Sequence, residues 1–174
     1  MIRTAFQKYP LIANMATSGL IAGSGDVATQ LIFNENSKID YKRTLRNVTY
    51  GTLFWAPIGY TWYPMLSKLR VASSEKVNQV ARVAVDQLFF APFVGIPVFY
   101  TAMVVLKRER DPIVKVKERL EKHWWSTLCT NWMVWPAFQV VNFSYTPVAY
   151  RLTVVNIFSV FWNGYLSWEL NHRH

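Results

Sequence analysis

Long uncharged apolar stretches separated by short basic segments set the pattern of this chain. No charged residue falls between Tyr9 and Gly25, and Asp26 is then the only one before Glu35. Asn47–Ser67, Gln87–Leu106, Trp124–Tyr150 and Leu152–Trp168 are likewise free of charge. Each stretch is near or above the roughly 17–25 residues that cross a bilayer. An amphipathic helix in water would show a charge on its wet face every turn or two. The pattern therefore predicts helical spans at about Pro10–Phe33, Asn47–Leu66, Val80–Leu106 and Trp124–Phe143. A last apolar segment, Val148–Trp168, either crosses or lies along the interface. Pro147, after Ser-Tyr-Thr, is expected to turn or kink the chain between the last two segments.

Polar residues inside these spans keep helical register. Asn131, Trp135, Gln139 and Asn142 fall at i, i+4, i+8 and i+11, one face of a helix that is otherwise Val, Met, Phe and Trp. Such a row either joins neighbouring helices or lines a path for a solute. In the first span Gly19, Ala22, Gly23, Asp26 and Gln30 share a face, so small residues would admit a neighbouring helix beside a carboxylate. The second span carries Pro57, Gly59 and Pro64 among Trp55, Tyr60, Trp62 and Tyr63, the makings of an interfacial aromatic belt. In the third, Arg82 and Asp86 stand at i and i+4 and are expected to pair; Gln87 follows, and Pro92 and Pro97 predict a bend. Between the third and fourth spans, Ile113, Val116 and Leu120 form an apolar strip on a charged helix, suited to the membrane surface or to water.

Composition changes this picture little. Hydrophobic residues are 52% and aromatics 16% of the 174 residues, while mean hydropathy is only +0.09, so the distribution of charge carries the argument. Charged residues are 17%, below the roughly 25% of soluble domains. The net charge of +9 and pI near 9.8 come from Lys and Arg between the spans, where they meet headgroups; no motif accompanies them that would point to direct nucleic-acid binding. Gly23-Ser-Gly-Asp-Val-Ala28 fits a loose dinucleotide fingerprint, but no strand pattern precedes it and no βαβ unit follows. Cys129 is the lone cysteine, which excludes an intrachain disulfide and a cysteine metal cluster. Met1–Lys8 lacks a small-residue cleavage site and is expected to be retained, and the two Asn-x-Ser/Thr sites lie in or beside spans.

His123, His172 and His174 sit in no catalytic context, and two tail histidines make a poor metal site, so neither an enzyme nor a cofactor is expected. Ionisable groups within spans are costly and mark function or a structural pair. Those are Asp26 and Asp86, with Arg82, Arg151 and Glu169 nearer the span ends. Either both carboxylates face a common interior, or each is locked: Asp86 by Arg82, Asp26 by a neighbouring helix or Arg151. The candidate polar lining or helix-interface residues are Asp26, Gln30, Asp86, Gln87, Gln139, Asn142 and Asn156.

Gly25-Asp26 with Gln30, Trp62-Tyr63, Asp86-Gln87 with Pro92, and Asn131-Trp-x-x-Trp-Pro-x-x-Gln-x-x-Asn-Phe143 through Pro147, Arg151, Asn156 and Trp162-Asn-x-Tyr-Leu-Ser167 resemble the Mpv-seventeen/peroxisomal-membrane-protein family. Tyr41-Lys-Arg-Thr44, Arg82-Val-Ala-Val-Asp-Gln87 and His123-Trp-Trp125 most resemble its fungal, stress-induced mitochondrial members. The resemblance implies a four-span protein of the inner mitochondrial membrane that forms or regulates a weakly selective channel for ions or metabolites. It also implies a part in mitochondrial homeostasis and DNA maintenance. Where many members carry His, this chain has Tyr60. The expected whole is an all-α polytopic bundle, one integral membrane domain over residues 1–174, with four spans, a C-terminal apolar helix packed on them and a surface amphipathic helix. Its expected partners are the bilayer, small ions or metabolites, and further copies or a larger membrane complex; a non-conducting scaffold is the rival.

Overall fold

The computed structural model describes residues 8–33 and 39–172, with side chains at 8–32 and 39–161. The segment Met1–Gln7, the side chains of Glu169 and His172, and all of His174 lie outside the described residues. The described chain is helical, and it divides into two compact units, residues 1–60 with 152–174, and residues 61–151.

The first unit holds α1 (Pro10–Phe33), α2 (Tyr41–Thr49), the π-helical turn Tyr50–Trp55 and most of α7 (Arg151–His172). Asp40 starts α2: its side chain accepts from the Arg43 N–H at 2.9 Å, which satisfies one of the orphan donors of the first turn. That bond draws the exposed Asp40 carboxyl below its ordinary value. Glycine sets the close packing of α1. A Cβ at Gly25 would stand 2.5 Å from Val160 Cγ2, and one at Gly51 would stand 3.0 Å from the Ser18 carbonyl. The small-residue face read from the sequence, at Gly19 and Gly23, is thus the face that receives α2 and the π turn, whereas α7 packs on a neighbouring face at Gly25.

The second unit takes up the chain within α3 (Ala56–Ser67), continues through α4 (Glu75–Val85), the π-helical stretch Asp86–Gly95 and α5 (Ile96–Leu106), and ends with α6 (Pro112–Tyr145) and the short 3-10 turn Val148–Tyr150. Asn78 ties down the loop before α4, accepting from the N–H groups of Val71 and Ala72 and donating to the Ala72 carbonyl. The turn into α6 places Arg108 and Asp111 in the left-handed region (φ 52° and 53°), and Pro112 opens the helix where its missing N–H costs nothing.

One expectation needs correction here. The surface helix is not a separate element, because residues 112–145 form one unbroken 34-residue helix. Nothing between Ile113 and Trp135 is Gly or Pro, so no residue interrupts the hydrogen-bond ladder where the charged part meets the apolar part. Ile113 is exposed on that helix, while Val116 and Leu120 are half-buried. Among the described residues one helical run, the 32 residues Glu75–Leu106, is long and apolar enough to cross a membrane, and the described apolar part of the last segment, Val148–Phe161, is shorter than a span. The other spans fall below that standard because they are diluted from within. α1 carries Asn14, Ser18, Asp26, Thr29 and Gln30 on its buried side, and the uncharged part of α6 carries Asn131, Gln139 and Asn142 among four tryptophans.

Candidate functional site

Each unit buries polar side chains and exposes large apolar ones. In the first unit Asp26 and Gln30 are 7% and 2% exposed, whereas Leu20 and Ile32 are 72% and 71% exposed. In the second, Asp86, Gln87, Gln139 and Asn142 are buried, whereas Leu88, Phe93 and Met133 lie open. Water-soluble domains sort the other way, so this inversion is the informative feature.

Within the first unit the Asp26 carboxylate is the centre of a closed cluster. Its Oδ1 accepts from Arg43 Nε and Asn47 Nδ2, each at 2.8 Å; its Oδ2 accepts from Gln30 Nε2 and the Thr44 hydroxyl, each at 2.7 Å. Gln30 Oε1 in turn accepts the Asp40 N–H at 2.6 Å, so the loop before α2 is anchored to α1. Arg43 and Thr44 flank the carboxylate from adjacent positions of α2, and Asn47, four and three residues after them, stands one turn along on the same side. Of the two partners expected for Asp26, the neighbouring helix is the one found. Arg151 instead caps the end of α6, donating to the carbonyls of Phe143 and Thr146 at 3.1 Å each with its guanidinium over the Phe143 ring. Asn156 donates to the Ser18 hydroxyl at 2.6 Å and accepts from Trp55 Nε1 at 3.0 Å, tying α7 to α1 and to the π turn.

Within the second unit the structure brings four candidate residues into one network. Asp86 Oδ1 accepts from Trp62 Nε1 at 2.7 Å, and Oδ2 from Gln87 and Gln139 amides at 2.8 and 3.0 Å. Gln139 Oε1 accepts from Asn142, and Gln87 Oε1 from Asn131. Asn142 Oδ1 is buried and has no partner among the described residues. Trp62 is fixed by a stack on Phe90 with ring centroids 4.4 Å apart.

The expected Arg82–Asp86 pair does not form. Arg82 donates to Glu75 at 2.6 Å and to the Leu69 carbonyl at 3.2 Å. Helical side chains lean toward the N-terminus, so Arg82 reaches back to the charged end of its helix while Asp86, one turn further in, meets amides and an indole.

The π-helical stretch shows a second feature that spacing alone did not reveal. Its bonds run from residue i+5 back to residue i, as Ile96 N–H to Ala91 O illustrates. In that register the donors for the carbonyls of Gln87 and Pro92 would be residues 92 and 97, both prolines without an N–H. Indoles from α6 fill both places: Trp132 Nε1 donates to Gln87 O and Trp124 Nε1 to Pro92 O, each at 2.9 Å. The prolines five apart and the tryptophans of α6 were the available signal.

An apolar groove of about 290 Å³ also lies in this unit, with Val80, Ala84 and Leu88 on one wall and Trp132, Pro136 and Val140 on the other. Of the candidate residues, Gln87 borders it.

The chain's similarity to known proteins is specific. A sequence profile described as the Mpv17 / PMP22 family matches residues 108–167. A Debaryomyces hansenii protein named Protein SYM1 is 48% identical, over 96% of this chain and 85% of its own. The Saccharomyces cerevisiae protein of the same name is 40% identical over 97% and 88%, and the Candida albicans one 41% identical over 94% and 92%. No solved structure matches the chain.

Proposed function

We propose, from the premise that this chain belongs to the Mpv17 / PMP22 family of mitochondrial or peroxisomal membrane proteins, that it is a multi-pass protein of the inner mitochondrial membrane. In this reading it passes ions or small metabolites with weak selectivity, and so supports mitochondrial homeostasis, stress tolerance and mitochondrial DNA maintenance. The observation that carries it is the inversion of burial: carboxylates and amides inside, Leu, Ile, Phe and Met outside. In water each exposed apolar side chain of that size forfeits about 1.5–3 kcal/mol of burial, whereas hydrocarbon removes the penalty. Four crossings are assigned to α1, residues 41–67, Glu75–Leu106 and α6. A 24-residue helix such as α1 is about 36 Å long, enough for a hydrocarbon core of about 30 Å. The row Asp86–Gln139–Asn142, ending on an acceptor without a partner among the described residues, supports a hydrated path that favours cations.

A second reading, a non-conducting scaffold, is favoured by one specific observation: both oxygens of Asp26 and both of Asp86 are already hydrogen-bonded within the fold. Ion flux from liposomes containing the purified protein separates the two readings when it is measured beside the protein's size on a native gel. Dye-reported potassium efflux from a small homo-oligomer supports conduction. No efflux, with migration only in large complexes of unrelated proteins, refutes it.

A further inference from the structure

The groove between the wall Val80, Ala84, Leu88 and the wall Trp132, Pro136, Val140 is long, apolar and open at its side. Eight residues separate Val80 from Leu88, and Trp132 from Val140, so each wall runs about 12 Å along its helix. Its volume, about 290 Å³, lies just under the roughly 300–1,000 Å³ usual for ligand pockets, room for part of one chain. Val80, Leu88 and Val140 are also exposed, so the rim continues the apolar face that the membrane reading turns toward lipid.

One end of this groove changes character. Gln79 and Ser144, one residue before Val80 and one turn after Val140, are hydrogen-bonded at 3.2 Å and mark where apolar lining gives way to polar. One helical turn before Val80 on the same face stands Lys76, exposed, with no ion-pair partner among the described residues. Its side chain leans toward the helix N-terminus, away from the groove and toward the loop that carries exposed Lys68 and Arg70. Arg82 belongs to this end too, but Glu75 neutralises it. An apolar slot that ends at a lysine with no ion-pair partner among the described residues is complementary to an amphiphile with an apolar chain and an anionic head.

We propose that this groove is a binding site for an anionic phospholipid, one acyl chain lying between the Val80 and Trp132 walls and the phosphate meeting Lys76. The proposal rests on the membrane reading, because it needs that face to meet lipid. A zwitterionic lipid would fill the slot as well, but its own cation leaves Lys76 without a net attraction. One lysine near the surface contributes about 1 kcal/mol toward an anionic lipid, so the preference at this site is about fivefold.

The test is native mass spectrometry of the full-length chain, titrated in detergent with phosphatidylglycerol or with phosphatidylcholine. The expected result is one phosphatidylglycerol retained at about fivefold higher affinity than phosphatidylcholine, with the preference lost in Lys76→Gln. Ala84→Phe fills the slot and is expected to remove that bound lipid. Quenching by brominated-chain phosphatidylglycerol, strong in wild type and weaker in Trp132→Phe, reports occupancy even if Ala84→Phe fails to fold. Equal affinity for both lipids, a preference unchanged in Lys76→Gln, or quenching equal in wild type and Trp132→Phe would overturn the proposal. Carbonate extraction keeps the two readings apart. A chain released into the supernatant refutes the membrane reading, and an integral chain without the preference refutes only the lipid site.

Discussion

Trp132→Phe removes one N–H and part of the ring's contact area. In wild type that N–H donates at 2.9 Å to the carbonyl of Gln87, for which the π register offers only Pro92, a residue with no donor. An acceptor buried without a partner costs about 1–3 kcal/mol, while interhelical hydrogen bonds in membranes average about 0.6 and reach about 1.7 kcal/mol. Because no backbone donor can replace the indole, we expect the upper part of the second range, about 1–1.7 kcal/mol. The reasoning is tested by a double-mutant cycle, since Pro92→Ala supplies the missing N–H. Against that background Trp132→Phe should cost only its lost contact area, about 0.5 kcal/mol or less. Trp125→Phe, at a ring 62% exposed, is the control and should stay within about 0.5 kcal/mol of wild type. The assay is reversible unfolding in mixed micelles followed by circular dichroism. A coupling energy within about 0.3 kcal/mol of zero would refute the capping role.

Other expected outcomes follow from the same geometry. Asp26→Ala leaves four donors facing an empty place and should cost about 3–5 kcal/mol in the same unfolding assay, whereas Arg43→Ala, at a side chain 42% exposed, should cost about 1–3; equal costs would count against the carboxylate as the centre. Gly25→Ala should cost about 1–3 kcal/mol by overpacking against Val160, and adding Val160→Ala should return most of it; no rescue would place the clash elsewhere. The Asp40 carboxyl titrates below its ordinary value of 3.8, so its capping contribution is complete above that pH and fades as pH falls through the lowered folded value. Asp40→Asn, which caps as well without titrating, should flatten that acid slope in thermal unfolding scans, and an unchanged slope would assign it to other groups.

Much of the helical layout was legible in the sequence because the controlling residues are local. The first helix begins at Pro10 and ends at Phe33, where loss of apolar residues and return of polar ones said it would. The second begins at Tyr41, six residues before the expected Asn47, because Asp40 caps it and Arg43, Thr44 and Asn47 bond Asp26; an uncharged-window criterion excludes such residues by construction. The same criterion split α6 at its charge boundary, although a helix continues wherever propensity allows. Spacing placed Gln139 and Asn142 on one face with Asn131, and both are buried. It could not say which donors Asp86 would collect, since Trp62 lies 24 residues and Gln139 lies 53 residues away. The Arg82–Asp86 expectation failed because spacing of four residues permits a pair without requiring it, and Arg82 had Glu75 and the Leu69 carbonyl nearer the helix end.

The most direct measurement is current across a planar bilayer holding the purified, demonstrably folded protein, wild type beside Asp86→Asn. If polar residues inside the fold form the path, wild type shows discrete openings that prefer cations, and the preference falls in Asp86→Asn. Silence from the inserted wild type, or openings whose selectivity is the same in both, would contradict it and leave Asp86 as a hydrogen-bonded strut among Trp62, Gln87 and Gln139.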